Sequence, residues 1–353
     1  MKNILKKLVA PVVATLLLTV IPALPAHAAS NGLGITPRKN YTLQPGAHVS
    51  DTLYVNNLSQ TQPLTVALRL VDFSAKDQTG SPNLNLTKNA PQTPWSVKPF
   101  VSMPSTVDVP AGKAVNVPIT VSVPANQGAG SYYSAIEYTA QNSPGQQNVT
   151  LAASSVSLMF VTVPGHAHEY MQLKQFGAFI PTSDDEHGNF SSWFFTSPPK
   201  VLAYVVQNQG NVAEEPTGSI AIKNMFGKQV KLIDQANPKK QLALIDQLRR
   251  FEACVNPGTK TTKAASGQDQ TTVICNPTRL MPGRYTAELA VFYGLNGNTN
   301  QEITATAAFW YLPIWFLIVV FLVLFLVVSG VYFLQRKLRR SNRKPGTNNK
   351  SRK

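Results

Sequence analysis

The sequence predicts an all-β protein: two tandem β-sandwiches, with a signal peptide before them and one transmembrane helix after them. Three observations predict it. Short segments of alternating apolar and polar residues fill the middle of the chain, and Pro/Gly turns separate them. Two short phrases recur at offsets of 153 and 151 positions (285 − 132 and 208 − 57). A long uncharged apolar run near the C-terminal end is followed by a basic tail.

Residues 1–28 read as an export signal. Lys2, Lys6 and Lys7 precede the apolar run Leu8–Ile21, and Ala26-His27-Ala28 is a small-x-small cleavage site. At the other end Leu312–Leu334 carries no charge over 23 residues. At 1.5 Å rise per residue that is about 35 Å, enough to cross roughly 30 Å of hydrocarbon. Phe309, Trp310, Tyr311 and Trp315 at one end, and Tyr332 at the other, suit the membrane–water interface. The membrane segment is therefore set at 309–334. Residues 335–353 hold nine Lys/Arg and no acid, which places that tail in the cytoplasm and the N-terminal region outside.

This layout explains the charge. Of the net +15, the tail holds +9 and the signal +3, leaving 15 − 12 = +3 for everything between. The excess is a topology device, and nucleic acid is not an expected partner. Charged residues make up 14% of the chain, below the roughly 25% usual for soluble proteins, which favours an uncharged polar surface outside the cell.

Ala114–Pro124 alternates strictly. Val115, Val117, Ile119, Val121 and Val123 share one face, the mark of a half-buried strand. Pro118 lacks a ladder donor, so this strand is expected at an edge or a bulge. Leu53/Val55, Val66/Leu68/Leu70, Ile220/Ile222 and Tyr285/Ala287/Leu289/Val291/Tyr293 repeat the pattern. Leu242–Phe251 fits either a short helix or a turn and a strand.

Gly130-Ser131-Tyr132 and Gly283-Arg284-Tyr285 each open a strand late in a module. In Ig-like sandwiches a tyrosine at this place hydrogen-bonds back to the preceding loop. Asn57 and Asn208 each end a strand before a polar turn and a proline. Two matches at nearly one spacing indicate two Ig-like modules, 29–165 and 166–308, joined near Val161–Tyr170. Cys254 and Cys275 are the only cysteines. On the exported side they favour a disulfide around a polar hairpin, with two buried thiols as the alternative. The closed loop would contribute roughly 3 kcal/mol.

Candidate chemistry is sparse. His166 and His168 would share a face on a strand, but nothing else in the sequence completes a three- or four-ligand metal site, so a solvated linker is expected. Asp184–Asn189 lacks the spacing of a calcium loop. Sequons stand at Asn57, Asn85, Asn148 and Asn189. Tyr132 and Tyr138 share parity and are expected in the core. Trp193, Phe194 and Phe195 form the candidate contact patch, with packing against the neighbouring module as the plainer use. No catalytic residue, cofactor or metal is expected.

The whole layout resembles bacterial surface proteins of the WxL-interacting type, which carry two β-sandwich modules, a membrane helix and a short basic tail. In the first module the resemblance rests on Ile35–Ser59 (ITPRKNYTLQPGAHVSDTLYVNNLS) and Val115–Tyr138. The second module is also similar to envelope proteins of small uncultured bacteria, through Asn208–Val230 and Pro282–Gly294. The resemblance implies a first module associated with peptidoglycan and a second with a partner surface. The expectation is a non-enzymatic membrane-anchored protein that binds cell-wall polymer or an envelope protein. The alternative is an extracytoplasmic chaperone or assembly factor for secreted surface proteins.

Overall fold

The computed structural model describes residues 32–87, 90–141, 154–179, 193–263, 269–294 and 300–341. The signal segment, the stretch Asp184–Asn189, the sequons at Asn148 and Asn189 and the tail from 342 onward lie outside the described residues.

The chain is mostly β. Its N-terminal half contains β1 (Leu33–Ile35), β2 (Arg38–Thr42), β3 (His48–Asn57), β4 (Leu64–Val71), β5 (Phe73–Lys76), β6 (Ser81–Leu84), β7 (Val101–Ser102), β8 (Thr106–Val109), β9 (Ala114–Ser122), β10 (Gly130–Gln141) and β11 (Ser154–Val163). The C-terminal half contains β12 (Met171–Phe179), β13 (Phe194–Phe195), β14 (Val201–Asn208), β15 (Thr217–Asn224), β16 (Gln229–Ile233), β17 (Leu248–Cys254), β18 (Pro257–Lys263), β19 (Asp269–Cys275), β20 (Gly283–Tyr293) and β21 (Gln301–Tyr311). Helix α1 (Ile314–Ser341) follows. The segment Leu242–Phe251 is a turn followed by β17, not a helix.

The two halves share one strand order except for β7, which has no counterpart in the second half among the described strands. In the first, β1-β3-β9-β7 faces β2-β11-β10-β4-β8. In the second, β12-β14-β17 faces β13-β21-β20-β15-β16. The only parallel pairs among the described strands, β2 with β11 and β13 with β21, stand at the same place in each half. Alternation along each strand turns one set of side chains inward between the sheets. Leu53, Val55, Val66, Val117, Ile119, Val121 and Tyr138 fill the first core. Leu202, Tyr204, Val206, Ile220, Ile222, Phe251 and Phe309 fill the second, with the Tyr204 and Phe251 rings stacked at 5.0 Å. Pro118 sits in β9 opposite Thr52 of β3, and β7 pairs β9 only at Thr120 and Val121. The missing donor thus falls where the far side of β9 has no partner among the described strands.

Both recurring phrases occupy equivalent positions. The Tyr132 hydroxyl donates to the Gly128 carbonyl (2.9 Å) at the start of β10, and the Tyr285 hydroxyl donates to Met281 (2.7 Å) at the start of β20. Asn57 ends β3 and Asn208 ends β14, both buried. The Asn57 amide donates to the carbonyls of Gln62 (2.7 Å) and Val109 (3.2 Å), and its Oδ1 accepts the Ser59 N–H (2.9 Å). The Asn208 amide donates to Val212 (2.6 Å) and Ala243 (2.8 Å), and its Oδ1 accepts the Gly210 N–H (3.0 Å). Each asparagine pins a turn to the segment beside it and satisfies backbone groups that water cannot reach. The Asn57 sequon is therefore sealed in the folded chain.

A third apolar cluster joins the halves. Val71, Phe73, Tyr133, Ala135 and Phe160 of the first half meet Leu244 and Ile245 of the second. Strand β10 is accordingly buried on both faces: Tyr138 points to the core, while Tyr133 packs on Phe73 (5.2 Å), Phe160 (5.7 Å) and Trp95 (6.1 Å). Tyr132, expected in the core, is only half-buried, against Phe100 (5.1 Å). Buried Asp72 holds the Trp95 loop through Ser96 Oγ (2.6 Å), the Thr93 N–H (3.1 Å) and Lys98 (3.2 Å). Burial pushes its carboxyl up, but these bonds outweigh that and keep it below the usual carboxylate value. At the joint Asn211 bonds to Ala129 and Ser131 of the first half. A Cβ on Gly130 (φ +151) would lie 2.8 Å from the Asn211 carbonyl oxygen, so this crossing needs glycine.

The apolar helix starts later than the sequence places it. Residues 309–311 are the end of β21, with Phe309 and Tyr311 in the core, because their alternation continues the inward face of the strand. Leu312 precedes proline and stays out of the helix, and α1 begins at Ile314. Its stretch Ile314–Leu338 is long and apolar enough to cross a membrane. The start of the basic tail, Gln335–Ser341, continues the same helix.

Replacing Asn208 by Ala removes a donor from the Val212 and Ala243 carbonyls and an acceptor from the Gly210 N–H, and only Ala243 keeps another partner, the Glu214 N–H. We expect a loss on the order of 2–3 kcal/mol, and a similar loss for Asn57→Ala, read as lowered denaturant midpoints. Exposed Gln209→Ala serves as the near-neutral comparison.

Candidate functional site

Two surfaces of the C-terminal half stand out, both defined by how β15, β16, β20 and β21 end. The first is the foot of the sandwich, where the chain leaves for α1. Phe194 and Phe195 pair in parallel with Trp310 and Tyr311. The Trp310 N–H donates to the Trp193 carbonyl (2.7 Å), and the Leu312 N–H donates to Phe195 (2.9 Å). This register separates the three candidate contact residues. Phe195 is 4% exposed and meets Phe309 edge-on at 5.7 Å, so it belongs to the core and not to a contact patch. Trp193 and Phe194 face outward. Their strand partner is β21, not the neighbouring half.

The fold brings further apolar side chains to this foot. Asn224 is level with Tyr285, and Gly283 with Tyr311, so the turn after β15 and the segment before β20 end beside Trp310. Asn224 Oδ1 accepts the N–H groups of Phe226 and Lys228, both at 3.0 Å. That tight turn leaves Met225 and Phe226 exposed, and Met281 stands exposed just before β20. Sequence reasoning missed these three. A Met-Phe pair in a turn with no core to enter was the available signal.

The second surface is β16. It pairs only β15 and forms the edge of its sheet among the described strands. Val230 and Leu232 lie exposed on its outer face, while Ile233 turns inward. Its counterpart in the first half, β8, carries Asp108 on the exposed face, a charge of the kind that discourages edge pairing.

Cys254 and Cys275 are bonded, with Cα atoms 5.2 Å apart. The disulfide closes the base of the β18–β19 hairpin, whose strands are solvent-exposed. Cys275 also packs on Val201, Ala203 and Val205, covering the outer face of β14. His166 and His168 are exposed outside any strand, and among the described residues no group of three or more His, Cys, Asp or Glu could hold a metal.

One titratable pair was not foreseen. Glu169 and Glu214 are both buried beside the joint, and their carboxyls hydrogen-bond to each other. Burial pushes Glu214 up to about 7; the Gly294 N–H (3.1 Å) opposes this, and the negative neighbour reinforces it. Both causes, burial and the neighbouring carboxyl, favour the neutral form of Glu214.

No family model matches the chain, and no curated protein matches it. Among solved structures it is similar to the class 5 fimbriae chaperone CfaA, with 9% identity and a TM-score of 0.35, covering 78% of this chain and 98% of that one. It is similar to the E. coli chaperone DraB at 14% identity and TM-score 0.29, covering 78% and 95%. A third likeness is to a complex of the Salmonella enterica SafA pilin with the SafB chaperone, at 9% identity and TM-score 0.32, covering 78% and 96%. The strands and sheets of the chain itself define a mostly β protein of sandwich type with one candidate membrane-spanning helix.

The glutamate pair predicts an inverted pH response. The folded value lies above the ordinary 4.5, so the stabilisation is complete below that pH and falls as pH rises through about 7. The loss is on the order of 3 kcal/mol at 1.36 kcal/mol per unit. Glu214→Gln is expected to flatten this slope in thermal melts between pH 4.5 and 8.

Proposed function

We propose that the chain is a non-enzymatic, single-pass envelope protein whose two Ig-like modules, 29–165 and 166–308, stand outside the membrane and bind an envelope protein by strand addition. The carrying observation is β16. It offers unpaired backbone N–H and C=O groups along one side, with Val230 and Leu232 exposed next to them. An incoming strand would gain main-chain hydrogen bonds at that edge and apolar contacts with these two side chains. Helix α1 keeps the edge near the membrane, where envelope proteins emerge.

The export signal and the basic tail support the outside-facing orientation. The order of parts fits the WxL-interacting type, and we assign the chain there as part of the same proposal. An assembly factor would use the same edge transiently on many clients; a dedicated adhesion protein would use it on one. Cell-wall polymer is the competing ligand, and it needs no sheet edge.

Photo-crosslinking residues at Gln229 or Lys231 of the full chain, in cells, test the proposal. The expected result is one discrete envelope protein, lost in Val230→Lys/Leu232→Lys and retained in Thr106→Lys on the first-half edge. A ladder of many secreted proteins would indicate the assembly role. Sedimentation with purified peptidoglycan, unaffected by the β16 substitutions, would replace strand addition by wall binding.

A further inference from the structure

The foot of the C-terminal half carries apolar groups that neither the core nor the β16 edge uses. Phe226 is 85% exposed, Met281 77% and Trp193 66%. Phe194, Met225 and Trp310 are exposed beside them. These side chains come from four separate segments that meet only through the sheet register: Phe194 beside Trp310, Asn224 level with Tyr285, and Gly283 level with Tyr311. A Cβ placed on Gly283 would lie 3.6 Å from the Met225 methyl, which ties the β15–β16 turn to the start of β20. A soluble surface seldom exposes this many large apolar side chains together.

What covers the foot follows from where the chain goes next. Only Leu312 and Pro313 separate β21 from the helix that begins at Ile314. Two residues span about 7 Å, so the bilayer surface lies within one side-chain length of Trp310. Trp315, exposed on the first turn of α1, continues the aromatic group into the helix. The charges agree. Among the described residues of the foot, Lys200, Lys228, Arg279 and Arg284 are exposed in the segments 193–200, 224–228 and 276–284, which contain no acid; Asp184, Asp185 and Glu186, between β12 and β13, lie outside the described residues. Tryptophan and phenylalanine settle at the headgroup level, and lysine and arginine reach the phosphates around them.

We infer that the foot of the C-terminal sandwich is seated in the lipid headgroup layer, with Trp193, Phe194, Phe226 and Met281 inserted and the four cations facing anionic headgroups. The half next to the helix is then held upright by several lipid contacts in addition to its tether. The inference rests on α1 crossing the membrane and is independent of what β16 binds.

The test is site-directed spin labelling of the full chain. Single Phe226→Cys, Met281→Cys and Thr106→Cys variants, with the Cys254–Cys275 bond kept oxidised, are labelled. Each is reconstituted at one copy per nanodisc of phosphatidylcholine with phosphatidylglycerol. Labels at 226 and 281 are expected to gain access to dissolved oxygen and lose access to a water-soluble nickel chelate. The label at 106 is expected to show the reverse. Replacing phosphatidylglycerol by phosphatidylcholine is expected to reduce the immersion. Nickel access at 226 and 281 equal to that at 106 would overturn the inference. Protection that appears only at several copies per disc, with dipolar broadening between labels, would also overturn it in favour of contact between copies. The β16 crosslink can fail while this result stands, and the reverse, so the two proposals are separable.

Discussion

The dipeptide Leu312-Pro313 sets the geometry of this protein. A strand paired along eleven residues with β20 passes through it directly into an apolar helix. Proline cannot donate to a ladder and keeps the residue before it extended, so the strand must stop and the helix must start here. Only two residues separate β21 from α1, so the C-terminal half stands directly beside the start of the apolar helix. In the inferred seating, the strands beside β21 present their apolar and basic turns to the lipid.

Above the foot, the architecture relies on repeating one solution twice. Apart from β7, each half runs the same strand order, with a short parallel strand against its last long one. Each closes a turn with a buried asparagine that donates twice to, and accepts once from, backbone groups around it. A side chain that bonds three backbone groups in one place is hard to replace, since an apolar residue removes all three bonds at once. The halves then differ where they are used. The first covers the outer face of β10 with the joint between the halves, through Tyr133, Phe160 and Leu244. The second covers the outer face of β14 partly with its disulfide and leaves β16 at the sheet edge among the described strands. Buried Glu214 lies beside the joint with its carboxyl pushed up by burial, so the stability of this region is linked to pH.

Much of this was legible in the sequence because it is local. Alternating valines reveal a strand, since successive side chains point to opposite faces. Uncharged length reveals a membrane segment, since lipid excludes charge. The Gly-x-Tyr phrases and the paired asparagines could be matched along the chain, because each makes a bond within a few residues, Tyr132 to Gly128 and Asn208 to Val212; the asparagines' second bonds, to Val109 and Ala243, are long-range. The cysteine pairing was also within reach, with only two cysteines in the chain and a polar hairpin between them.

What depended on register was not legible. Trp193, Phe194 and Phe195 look alike in sequence; only pairing with β21 sends Phe195 into the core and leaves its neighbours outside. Phe309 and Tyr311 read as interface aromatics until the strand alternation that carries them inward is traced across from β20. Tyr133 lies on the face away from its module's core, and only the approach of Leu244 and Ile245 from the other half buries it. Met225, Phe226 and Met281, up to 56 positions apart (281 − 225), become neighbours because β15 and β20 end level with each other. Composition and periodicity determine which residues prefer apolar surroundings. Long-range hydrogen-bond register alone decides whether those surroundings are a core, a second half of the same chain, or the lipid below.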